Sequence, residues 1–273
     1  MDNKKEDYFI ALSKNVRKKI LEIVHKTKSP HIGSSLSCVE ILVSLYFKVL
    51  NVSPEDPANP DRDRFILSKG HGCPAFYSVL AEKGFMSEED LQGFAVNDGV
   101  LEQHPNRDIK KGVEIFAGSL GHGLSIGAGM ALAAKRDRKD YEIYVLLSDG
   151  ELNEGSVWEA AMFASHHNLD NLTAIVDCNK IQALGYTKDI INLEPLSQRW
   201  SSFGWAAREV DGHDFNQILE VFDNIPFSTD KPNIIIANTV KGKGVSFMED
   251  KLLWHYRSPD DEEYKKALEE LSE

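Results

Sequence analysis

Tyr144-Val-Leu-Leu-Ser-Asp-Gly-Glu151 and Thr173-Ala-Ile-Val-Asp-Cys-Asn-Lys-Ile-Gln182 flank a stretch of amphipathic helical pattern. Each is an apolar, strand-like run closed by an oxygen-bearing side chain, Asp149 in the first and Asn179 in the second. The two lie 30 positions apart, the length of one strand–helix–strand unit. In a parallel sheet such a unit brings the carboxyl ends of both strands to one edge, where ligands bind. A carboxylate and an amide oxygen meeting there suit a hard cation such as Mg²⁺ or Ca²⁺. Gly150 lets backbone come close to a phosphate. The chemistry implied is a divalent cation holding a phosphorylated ligand.

Outward from that unit, strand and helix patterns alternate. Tyr8 to Lys28 carries Ile10, Leu12, Val16, Ile20, Leu21 and Val24 at helical spacing. His31-Ile-Gly-Ser-Ser reads as a loop, with Ser35 or Ser37 capping a helix over 38–50. A strand at 64–68, helices at 74–83 and 87–95, and an irregular stretch at 97–115 follow. The segment 117–134 reads as a Gly-rich loop entering an Ala-rich helix, with Gly127 and Gly129 there for close packing. A helix is expected over 156–168, strands over 205–210 and 233–239, and helices over 216–224 and 260–271. The class is therefore α/β, a mainly parallel sheet flanked by helices, expected as one domain over 1–273.

Composition narrows the functions. The 273 residues are 42% hydrophobic, enough for a proper core, and carry a net charge of −12. That balance opposes binding to nucleic acid or to an anionic membrane surface. The three cysteines, Cys38, Cys73 and Cys178, are odd in number and lack pair spacing. They fit a reducing cytoplasm and neither a disulfide framework nor a zinc site. The charged start, Met1 to Asp7, has no signal-peptide core behind it, and the apolar-rich run 39–50 is too short to span a bilayer.

The glycines at 118–129 fail the dinucleotide-binding pattern, because Ile126 stands where its third Gly or Ala belongs. His31, His71 and His104 each sit beside Gly or Pro in a loop, where functional histidines concentrate. His166 and His167 fall in a helix and read as structural. Lys241-Gly-Lys-Gly244 follows a strand and is either a solvated turn or a phosphate contact. Glu154 and Glu159 lie near the start of one helix; the first is placed to support the site, the second to satisfy buried groups or meet a partner chain.

Taken in order, these segments resemble the N-terminal, pyrophosphate-binding domain of the transketolases, a thiamine diphosphate family. Ser148-Asp149-Gly150 and Asn179 stand where that family has Gly-Asp-Gly and Asn. Glu154-Gly-Ser-Val-Trp-Glu-Ala160, Asn179-Lys-Ile181, Ser29-Pro-His31-Ile-Gly33, Ser68-Lys-Gly-His71 and Ala117-Gly-Ser-Leu-Gly-His-Gly123 are similar to further family motifs.

The resemblance implies roles. Asp149, Asn179 and the Ile181 carbonyl would hold Mg²⁺, or Ca²⁺ or Mn²⁺ in its place, against the diphosphate of thiamine diphosphate. Gly150 and His71 would contact the diphosphate, Lys241 and Lys243 would reach it, and Glu151 and Glu154 would support it. Gly118, Ser119 and Leu120 would border the thiamine rings. His31, His71, His104 and His255 would form the catalytic set.

Three departures from the family bear on this. Ser148 replaces a glycine, which is harmless if its φ is negative. Lys251 and His255 compete for the place of a late family histidine. The Lys241-Gly-Lys-Gly turn is closer to 1-deoxyxylulose-5-phosphate synthase, the runner-up.

Family chains are also more than twice this long, with a second domain that binds the aminopyrimidine and supplies an activating glutamate. The chain thus looks like the N-terminal subunit of a split transketolase in a cytoplasmic heterotetramer. It would transfer a two-carbon ketol unit between sugars or sugar phosphates, pentose phosphates by default. A non-catalytic scaffold or a stand-alone phosphohydrolase fits the metal ligands and the missing nucleophile motif less well.

Overall fold

The computed structural model describes residues 3–272; Met1, Asp2 and Glu273 lie outside the described residues, and with them the first residues of the charged start. The helices are α1 Asn3–Thr27, α2 Ile32–Ser37, α3 Val39–Ser44, α4 Cys73–Lys83, α5 Glu88–Gln92, α6 Gly123–Asp137, α7 Gly155–His166, α8 Thr187–Ile190, α9 Leu196–Ser202, α10 Phe215–Asp223 and α11 Asp261–Glu270. The strands are β1 Arg64–Leu67, β2 Ile143–Ser148, β3 Leu172–Cys178, β4 Ile181–Gln182, β5 Gly185–Tyr186, β6 Ala206–Asp211 and β7 Asn233–Asn238. Five strands form one sheet in the order β1-β2-β3-β7-β6, every neighbour parallel, and β4 and β5 form a small antiparallel ribbon beside it.

A parallel sheet needs cover on both faces, and two apolar layers supply it. Phe65, Leu67, Tyr144, Leu146, Ile175 and Ile235 point into one layer with α1, α3, α4 and α10. Ile66, Val145, Leu147, Ala174, Val176 and Ile236 point into the other, with α6, α7 and α9. Successive side chains alternate between faces, which is why β2 and β3 read as unbroken apolar runs. On the edge strand β6, Arg208 and Glu209 are exposed, a charged edge of the kind that resists further pairing. Among the described residues, no helix is long and apolar enough to cross a membrane.

Several local expectations change. The 31–35 segment is mostly helical: His31 is the N-cap of α2 with a left-handed φ of 72°, and α2 is buried throughout. Ser35 and Ser37 therefore lie inside α2 and cap nothing; α3 follows directly across Cys38. The helix expected over 38–50 ends in a π turn at Leu45–Val49. The helix expected over 87–95 is the shorter α5, capped by Ser87, whose hydroxyl accepts from the Asp90 amide in a capping box. Gly127 is a packing glycine, since a Cβ there would meet Val145 Cγ2 at 2.6 Å; Gly129 faces open space.

Candidate functional site

The strand order puts the carboxyl ends of β1, β2, β3 and β7 side by side, and the loops leaving them enclose a cavity of about 250 Å³. Asp149 leaves β2, Asn179 and Ile181 leave β3, His71 leaves β1 and Lys241 leaves β7. All five line the cavity, with Gly118, Leu120, Ser148 and Gly150. His31, His104 and His255 come in from α2, from the irregular stretch and from the turn before α11.

The floor is built from oxygen. Asp149 accepts from the Gly150 amide at 2.7 Å and from the Lys180 amide. Burial, with Asp177 behind it, pushes the Asp149 carboxyl up to about 6. Asn179 Oδ1 accepts from the Ile181 amide at 3.2 Å. Lys180 carries a left-handed φ of 66°, a conformation that costs a non-glycine residue energy and clusters at functional sites. It turns the chain between the Asn179 and Ile181 positions. Gly150 is required by contact, because a Cβ there would sit 2.7 Å from Gln182 Cβ. Ser148 is not among the positive-φ residues, so a serine costs nothing where the family has glycine.

Three histidines close the cavity as one cluster. Ring centroids of His31 and His71 are 5.3 Å apart, His31 and His255 5.0 Å, and His71 and His255 5.8 Å. Burial lowers all three, helped by His104 and Lys241 at His31 and by Lys241 and His31 at His255. His31 falls to about 4, His255 to about 3, and His71 well below its ordinary value. Near neutral pH these rings are uncharged, each offering one donor and one acceptor. Lys241 Nζ reaches both His255 Nδ1 and the Ile181 carbonyl at 3.0 Å. Receiving the lysine proton at Nδ1 puts the His255 proton on Nε2. Burial lowers Lys241 to about 8. His104 packs against Gly118, whose Cβ would lie 3.7 Å from His104 Cγ, and the two segments are joined by Ala117 N donating to the Pro105 carbonyl at 3.0 Å.

Four residues expected at the site do not line this cavity. Lys243 points to the opposite side of its turn; its carbonyl accepts from Arg17 Nε at 2.9 Å and its ammonium pairs with Glu249 at 3.6 Å. Glu151 is buried, its carboxylate occupied by the Gly121 amide at 2.8 Å, the Ser148 amide at 3.2 Å and the Ser68 hydroxyl. It braces the Gly-rich loop against β2. Glu154 and Ser119 are exposed and do not line the cavity. Of the two competing late positions, His255 lines the cavity and Lys251 is exposed. Ser34 and Gln182 line it without having been singled out; a serine in a small-residue run and a glutamine after a short strand carry no distinctive signal.

The donor set fits a hard cation in kind: one carboxylate, one amide oxygen and one peptide carbonyl. Among the described residues no three His, Cys, Asp or Glu side chains converge as a metal-ligand group. A cation at Asp149 would therefore draw further oxygens from a ligand, as Mg²⁺ does with phosphates. The Lys241 ammonium on the Ile181 carbonyl already shows that this carbonyl receives positive charge.

A family model described as "Transketolase, thiamine diphosphate binding domain" matches residues 10–271. The chain is 44% identical over 261 residues to one of the subunits of the apulose-4-phosphate transketolase of Phocaeicola vulgatus, covering 96% of this chain and 92% of that one. It is 43% identical over 256 residues to a subunit of the 6-deoxy-6-sulfo-D-fructose transketolase of a Clostridium species, covering 94% and 93%. The crystal structure of transketolase from Campylobacter jejuni superimposes with a TM-score of 0.91 at 31% identity, covering 100% of this chain and 43% of that one. The chain thus spans less than half the length of that solved relative and nearly all of the two subunits.

Proposed function

The chain belongs to the thiamine diphosphate-binding domain family of transketolase, and on that premise we propose that it is the diphosphate-holding subunit of a two-chain ketol transferase. The observation that carries the reading is the meeting of Asp149, Asn179 and the Ile181 carbonyl on the floor of a cavity closed by histidines. The match to nearly the full length of two relatives named as subunits supports the two-chain part.

In this reading Asp149, Asn179 Oδ1 and the Ile181 carbonyl hold Mg²⁺, with Ca²⁺ or Mn²⁺ as substitutes. Gly150 and His71 would contact the diphosphate. Lys241, whose ammonium lies on the Ile181 carbonyl, would supply positive charge to the phosphates. Gly118 and Leu120 border the thiamine rings. Bound thiamine diphosphate supplies the capacity to take a two-carbon ketol unit from a ketose and pass it to an aldose. His31, His104 and His255 would orient the sugar hydroxyls and exchange protons with them. The partner chain contributes the pyrimidine-binding domain and its activating glutamate, in a cytoplasmic heterotetramer. The sugar is a ketose, phosphorylated or carrying another anionic group; the Phocaeicola and Clostridium relatives are named for apulose 4-phosphate and 6-deoxy-6-sulfo-D-fructose.

Calorimetric titration of thiamine diphosphate into the chain tests the cofactor assignment. Binding is expected with Mg²⁺ and lost when EDTA removes it. Equal binding under both conditions, or none under either, would overturn the metal-bridged reading. Copurification from the native host, followed by a panel of pentose phosphates, apulose 4-phosphate and 6-deoxy-6-sulfo-D-fructose, then identifies the partner and the sugar.

A further inference from the structure

Beneath the cavity floor lies an ion pair that the proposed chemistry does not use. Lys69 and Asp177 form a salt bridge with both side chains at 0% exposure. Lys69 Nζ also donates to the Ser34 carbonyl at 2.8 Å. Asp177 Oδ2 accepts from Ser37 Oγ at 2.6 Å and Asn179 Nδ2 at 3.3 Å, and its Oδ1 accepts from the Thr239 hydroxyl. The pair thus ties the β1 loop, α2, the end of β3 and the segment after β7 together.

Stability alone gives little reason for such a pair. Taking two charges out of water costs several kcal/mol per ion, and a well-packed apolar pair of similar volume is often as stable or more so. What a charged Asp177 does, and an apolar residue cannot, is hold the nitrogen end of the Asn179 amide while the Ile181 amide holds its oxygen end. A carboxylate accepts only, so Nδ2 must face Asp177. That leaves Oδ1 at the other end of the amide, where it accepts from the Ile181 amide and keeps a lone pair for a further partner.

From this geometry we infer that Asp177, held ionised by Lys69, is a positioning residue that fixes the Asn179 amide with its oxygen toward the metal and diphosphate. The inference rests on the proposed cofactor site and deepens it. An asparagine at 177 can turn its own amide hydrogens to Asn179, and only the 3.2 Å bond from the Ile181 amide would then oppose a turn-over of the Asn179 amide. A nitrogen with two hydrogens would then face the cation. Partners behind metal ligands are commonly worth about 10–100-fold in metal affinity.

The test measures Mn²⁺ affinity by EPR in the presence of thiamine diphosphate, beside the melting temperature of the ligand-free chain. Asp177→Asn is expected to weaken Mn²⁺ binding by about 10–100-fold. Because it leaves Lys69 without its charge partner, the neutral pair Lys69→Gln/Asp177→Asn is measured as well and should show the same loss. Thr239→Val removes a different donor to Asp177 without freeing the Asn179 amide. It should lower the melting temperature while leaving Mn²⁺ affinity within about twofold. Wild-type affinity in the neutral pair, or equal losses in Thr239→Val and Asp177→Asn, would overturn the positioning role. Failure of the wild-type chain to bind Mn²⁺ would instead remove the cofactor site on which the inference stands.

Discussion

The middle of the sheet and its carboxyl edge are built from the same strands and obey opposite rules. In the middle, β2, β3 and β7 bury almost nothing but apolar side chains, packed between two helical layers. One turn further along the same strands, Lys69, Asp149, Asp177, Asn179 and Lys241 are all buried. The apolar region lowers free energy by removing hydrocarbon from water. The polar edge spends some of that gain on holding charges beside the cavity. Changes in the middle should therefore be read in stability and changes at the edge in ligand affinity.

The largest effect is expected from Trp200, fully buried on α9 between Trp158 and Trp205 at ring separations of 5.2 and 4.9 Å. Trp200→Ala should cost about 3–5 kcal/mol by chemical denaturation, with cofactor affinity of the folded fraction unchanged. A parallel loss of affinity would show that the two regions are not separable.

Asp149→Ala inverts that pattern. Thiamine diphosphate binding with Mg²⁺ should fall by at least about 100-fold. Ligand-free stability should hold or rise, because burial holds this carboxyl above its ordinary range and removing it relieves that cost. Calorimetry beside thermal melts measures both.

The Lys241-Gly-Lys-Gly turn repeats the contrast two residues apart. Lys241→Met should weaken cofactor binding by about 1.5–3 kcal/mol, the worth of a charge-assisted hydrogen bond. Lys243→Met, on the outer side, should change stability by no more than about 0.5 kcal/mol and cofactor binding not at all. Equal effects on binding would place Lys243 back in the site.

The smallest effect is a pH dependence. The His31, His71 and His255 values in the folded chain are lowered, so between roughly pH 4 and 6.5 the unfolded chain binds more protons. Stability from these rings is present above the unfolded value and is lost as pH falls. Asp149 and Glu142, raised to about 6 and about 7, work in the opposite sense, as do the raised carboxyls of Asp63, Glu114 and Glu151, so the histidine part is read by difference. His255→Gln should reduce the loss between pH 7 and 5 by about 1 kcal/mol, solvent screening allowed for. Denaturant midpoints at the two pH values decide it.

The two regions also differed in how far the sequence alone revealed them. Apolar runs with strand length and helices with 3.6-residue spacing located every main strand and most helices of the middle. Asp149 and Asn179 stood out because each closes such a run. His31, His71 and His104 stood out from their loops beside Gly or Pro, whereas His255 was reached only through the family resemblance; the strand order that brings them together is not written in their spacing. Spacing could not separate Lys241 from Lys243, because a tight turn sends neighbouring side chains to opposite sides. Glu151 failed as a site residue for a related reason: a carboxylate beside the key aspartate reads as a ligand contact, but the amides of Gly121 and Ser148 claim it. Lys69 and Asp177 gave no signal at all, since a charged residue within an apolar segment does not announce its partner 108 positions away.

The central claim is that this chain holds one half of a catalytic site. The most direct measurement is ketol-transfer rate in Mg²⁺ and thiamine diphosphate as the partner chain is titrated into a fixed concentration of this one. A divided site predicts no turnover at zero partner and a rate that rises and saturates at one partner per chain. Turnover at zero partner, unaffected by further addition, would contradict it.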